Sequence, residues 1–138
     1  MLGPDDLALM NEEEKLELVS RLQEGEDWRE TFELIYLKLA DDESPKVRAA
    51  AIVALWDLAD PKHIEMLMRK AESDPDPEVR GKAASVLGIY IYEGSMEEDI
   101  TEVQYLTVRN FLLGLARSES EPDIVRRMAI EALSFDDD

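Results

Sequence analysis

The chain has no cysteine and a single histidine, His63. Without thiols, disulfides and thiol chemistry cannot operate, histidine–cysteine metal sites are ruled out, and the redox compartment stays open. No apolar run approaches the roughly 20 residues that a membrane span requires. The opening stretch Met1-Leu2-Gly3-Pro4-Asp5-Asp6 lacks the basic region and apolar run of a signal peptide. A soluble, cytoplasmic protein is the expectation. Glycine-rich phosphate loops of the P-loop and dinucleotide-binding kinds are absent. Basic residues are scarce: 15 against 33 acidic ones, for a net charge of −18. Such a field repels phosphate backbones and acidic lipid headgroups, so nucleic acid and membrane surfaces are poor partners. A protein with a basic surface is a better one; solubility alone is the competing explanation of the charge.

What is present is helical. The 138 residues, 45% hydrophobic with a mean hydropathy of −0.31, suit one domain with a packed core. Pro4 suits a first helical position, followed by Asp5 and Asp6 in the opening turn. Asn11 and Glu14 form a capping-box pair, after which Leu16, Val19 and Leu22 share a face until Gly25. Trp28, Phe32, Ile35, Tyr36 and Leu39 form the next apolar stripe. Ser44-Pro45, Asp60-Pro61 and Asp76-Pro77 each supply a cap and a preset dihedral, starting helices that run to about Ala59, Ser73 and Tyr92. Gly94-Ser95 breaks the chain, and Ser95 with Glu98 offers a capping box for a helix to about Arg117. A last helix runs from Asp123 to about Phe135, leaving Asp136–Asp138 as a frayed tail.

One phrase recurs: Pro45-Lys46-Val47-Arg48-x-x-Ala51-x-x-Ala54-Leu55, Pro77-Glu78-Val79-Arg80-x-x-Ala83-x-x-Val86-Leu87, and Val125-Arg126-x-x-Ala129-x-x-Ala132-Leu133. Self-similarity at this spacing marks stacked repeats, each burying its face against the next. The alanines keep one helix face shallow, so that a neighbour can approach closely. Each arginine lies in a first helical turn, where the helix dipole does not favour a cation. Asp42 and Asp74 stand six residues before Arg48 and Arg80. An Asp–Arg ladder linking the turns of adjacent repeats, with Arg126 as its third member, would explain the placement; unpaired surface arginines are the alternative.

Turn-Asp, Pro-x-Val-Arg and Ala-x-x-Ala-Leu closely resemble the HEAT repeat in its short bacterial and archaeal variant. The resemblance covers roughly residues 30–135 and is weaker in the third copy, where Pro122 stands one residue early and Ser120 holds the Asp position. It implies an all-α, right-handed α-solenoid of the HEAT-like or armadillo type, built from antiparallel helix pairs with about seven to eight helices. The pairs are expected at 26–59, 60–93 and 94–135, with 1–25 as capping helices of one 138-residue domain. Because the chain stops after a repeat's second helix, a fragment of a longer array is expected, or else a very short natural one.

No catalytic, cofactor-binding or metal site is expected. His63 reads as surface decoration at a helix start, with no nucleophile beside it. Asp74-Pro75-Asp76-Pro77-Glu78 lacks the spacing and glycine of a calcium loop, and Asp41-Asp42-Glu43 and Glu97-Glu98-Asp99 read as turn and cap residues. The resemblance implies a non-catalytic protein-interaction or scaffold module that binds its partner on a concave face lined by the second helices. There Ile52 and Trp56 would anchor a partner segment across a shallow trough of Gly81, Ala84 and Gly88, with Arg127 at its rim. In the competing arrangement, residues 1–25 or a partner subunit cover Trp56. Short HEAT-like repeats also resemble those of phycobilisome chromophore lyases, so a subunit of such an enzyme is the alternative function. HEAT-like DNA glycosylases need a basic concave face, which a charge of −18 does not supply.

Overall fold

Capping chemistry sets where the helices begin. The computed structural model describes residues 4–24, 29–95 and 100–135. Among them are seven α-helices and no strand: α1 Glu12–Glu24, α2 Arg29–Leu39, α3 Pro45–Ala54, α4 Ile64–Ser73, α5 Pro77–Ser95, α6 Glu102–Arg117 and α7 Asp123–Leu133. Asn11 and Glu14 exchange backbone-to-side-chain hydrogen bonds of 3.1 and 2.9 Å at the start of α1. The Ser44 hydroxyl accepts from the Val47 N–H, with Pro45 at the first turn of α3. Asp60 accepts from the Lys62 N–H, and Asp76 from those of Glu78 and Val79. Each bond satisfies an N–H that a helix start leaves without an intrahelical partner.

Three expected boundaries move. α3 ends at Ala54 and tightens into a 3-10 turn, Leu55–Leu58. α5 runs through Gly94 to Ser95, because one glycine lowers helix stability only modestly. Ser95 therefore closes α5, and its proposed partner Glu98 lies outside the described residues. The capping box of α6 is instead Thr101 with Gln104, at 3.1 and 2.9 Å.

The chain divides into two compact units, residues 1–58 and 59–138. In the first, α3 packs on α1 and α2, and a 3-10 segment, Pro4–Leu9, packs on α2. Its core includes Leu7, Val19, Ile35, Tyr36, Leu39, Val47 and Ala51. In the second, α5 is the central helix and touches α4, α6 and, most extensively, α7. Val79, Ala83, Val86, Leu87, Val108, Leu112, Val125, Ala129 and Ala132 fill that interior. The Tyr90 ring is buried as well, and its hydroxyl donates to the Asp60 carbonyl at 2.8 Å.

His63 is a correction. It is 3% exposed, not surface decoration. A short 3-10 turn, Pro61–His63, leads directly into α4. His63 thereby stands four residues before Leu67 and eight before Ala71, on the face of α4 that is fully buried.

Candidate functional site

The three arginines hold the turns by a different acceptor from the one their spacing suggested. Arg48 Nη1 donates to the main-chain carbonyls of Asp42 at 2.9 Å and Glu43 at 3.2 Å. Arg80 Nη1 donates to the Asp74 carbonyl at 2.8 Å. The two aspartate carboxylates meanwhile accept the N–H two residues on, from Ser44 and Asp76, each at 2.9 Å. Aspartate suits this position because its side chain closes a local turn while its carbonyl receives the guanidinium. Within the second unit, Arg80 also links one turn to the next: its Nε lies 3.3 Å from Glu121 Oε2, both side chains being more than four-fifths buried. Arg126 departs from the pattern and donates from Nε to the Ala116 carbonyl at 3.3 Å, ten residues back. Residue 120, the position equivalent to Asp42 and Asp74, is a serine, so the third turn lacks the aspartate that organises the other two.

The expected trough is filled. A Cβ on Gly81 would lie 3.4 Å from Met128 Cγ and 3.7 Å from Ile124 Cγ1. On Gly88 it would lie 2.9 Å from Phe135 Cδ2 and 3.0 Å from Ala132 Cα. Ala84, between them, has no exposed surface. The small residues of α5 thus admit α7, and no channel remains for a partner segment. Ile52 is fully buried and cannot anchor a ligand; Trp56 is half-buried on the 3-10 turn that follows α3. Ile52 and Trp56 belong to the first unit, Gly81, Ala84, Gly88 and Arg127 to the second. Of the six, Arg127 alone is exposed.

A concavity that the sequence did not announce lies in the first unit. It encloses about 450 Å³ between the Pro4–Leu9 segment, α1, the end of α2 and the turn that follows it. Leu7, Ala8 and Leu39 give it an apolar floor, and Asp5, Asp41 and Glu43 contribute carboxylates to its lining. One wall is tied by Lys15 Nζ to Asp42 Oδ1 at 2.6 Å, with side chains only 14% and 9% exposed. Ser44 Oγ to Glu12 Oε1 at 2.6 Å joins α1 to the same turn. With Lys38 also lining it, four carboxylates face two ammonium groups. The residues Asp41-Asp42-Glu43 were visible in the sequence as turn and cap residues only. The missing signal was Lys15, twenty-seven residues before Asp42, which pairs with one of the three charges.

Among the described residues no group of three or more His, Asp or Glu side chains is arranged to hold a metal ion, and no helix is long and apolar enough to cross a membrane. The Tyr36 phenol has a displaced titration. Burial in the first unit raises it above the usual phenol range, and the nearby Asp57 carboxylate raises it further.

Compared with known proteins, the chain matches the family model for HEAT repeats over residues 33–134, a span that includes parts of both units. No curated protein and no solved structure matches it.

Proposed function

The chain belongs to the HEAT repeat family, and on that premise we propose that it is a non-catalytic interaction module for a protein partner with a basic surface. HEAT repeats generally mediate protein–protein contact, which supports the class of function. The acid-lined cleft of the first unit carries the finer reading. Its apolar floor would take the methylene stem of a lysine or arginine, and Asp5, Asp41 and Glu43 would take the charged head. A net charge of −18 would draw such a partner in and speed encounter. The cytoplasm is the proposed location.

The test is binding of a fluorescent lysine-rich peptide, read by anisotropy at about 0.15 M salt, where the Debye length of about 8 Å screens distant charges. Asp41→Asn with Glu43→Gln should weaken binding at least about tenfold, or ~1.4 kcal/mol. A control of equal charge change, Glu65→Gln with Glu72→Gln on the exposed side of α4, should leave it within about twofold. Equal losses in both variants would show attraction by net charge alone and defeat the assignment to the cleft.

A further inference from the structure

We draw no further inference here: the strongest candidate, the exposed face of helix α6 along Val103, Leu106 and Gly114, carries nothing because nothing in the structure shows what covers it.

Discussion

The two units are joined internally by opposite means. In the second, α5 and α7 meet where side chains are nearly absent, at Gly81, Ala84 and Gly88 against Ala129 and Ala132. In the first, α1 reaches the turn before α3 through polar side chains, Lys15 to Asp42 and Glu12 to Ser44, each at 2.6 Å. A seam made of glycine and alanine has least room to adjust at Gly88, where the Ala132 backbone lies within 3.0 Å of where a Cβ would stand. A seam made of a lysine and two carboxylates can lengthen, take up water or trade partners. The second unit should therefore be sensitive to added volume, and the first to altered charge.

The severest way to break the comparison is a charge placed in either apolar interior. Ala83 and Ala51 have no exposed surface. Ala83→Asp should unfold the second unit and Ala51→Asp the first, because an unpaired buried carboxylate costs several kcal/mol, of order ~3–5. Circular dichroism on each variant would show the loss of helix. A soluble, cooperatively melting Ala83→Asp chain would contradict the packing of α5.

Added volume separates the two glycines of the second unit. At Gly88 an alanine methyl would press on the Ala132 backbone at 3.0 Å, so Gly88→Ala should lower stability by ~1–3 kcal/mol. At Gly81 the nearest atom, Met128 Cγ at 3.4 Å, belongs to a flexible side chain that can yield. Gly81→Ala should be within about 1 kcal/mol of wild type, since the helix-propensity gain offsets the contact. Urea denaturation of the two variants reads the difference directly. Equal losses would mean that α7 does not lie closest at Gly88.

Much of this architecture was legible because it is written locally. Ser44, Asp60 and Asp76 precede prolines, and a cap acts within three residues, so those helix starts could be read from short windows. The recurring Ala-x-x-Ala was legible as a shallow face for the same reason. What covers that face was not. Gly81, Ala84 and Gly88 look the same in sequence whether α7 or a foreign peptide occupies the groove, since the answer depends on residues some forty positions later. His63 misled in the same way: a histidine after Pro61 reads as a polar helix start, until its spacing from Leu67 and Ala71 turns it inward. Arg48 and Arg80 do reach the residue six positions back, but at its carbonyl, because position alone does not distinguish an aspartate's carbonyl from its carboxylate, and Arg126 reaches ten positions back instead. The cleft was the least visible feature, since it joins Asp5, Lys15 and Asp41 from three separated segments.

On the polar side of the comparison, Asp42→Asn keeps the shape of the turn and its carbonyl for Arg48, but removes the charge opposite Lys15. It should cost the first unit ~1–2 kcal/mol, as for a charge-assisted hydrogen bond between mostly buried groups. The exposed pair Arg21–Glu17, with side chains 73% and 61% exposed, is the contrast. Glu17→Gln should change stability by no more than about 0.5 kcal/mol. Thermal melts at low and high salt would sharpen the point, the Asp42 effect persisting where the Glu17 effect fades.

The smallest effect is the most specific to the first unit. Tyr36 is buried and its phenol is held above the ordinary range, by burial first and by Asp57 second. The folded chain therefore keeps the proton more tightly than the unfolded chain does. That contribution is fully present below the unfolded phenol value of about 10, and is lost as pH rises from there through the higher folded value. The unfolded chain binds fewer protons in that window, so stability falls with pH. Tyr36→Phe should leave stability at pH 7 within about 1 kcal/mol of wild type and remove part of the alkaline decline. Asp57→Asn, which lifts only the second cause, should remove less of it. Urea midpoints measured from about pH 9 to 11, across the unfolded phenol value, would resolve the three slopes. Identical slopes in wild type and Tyr36→Phe would mean that the Tyr36 phenol ionises as freely in the fold as outside it.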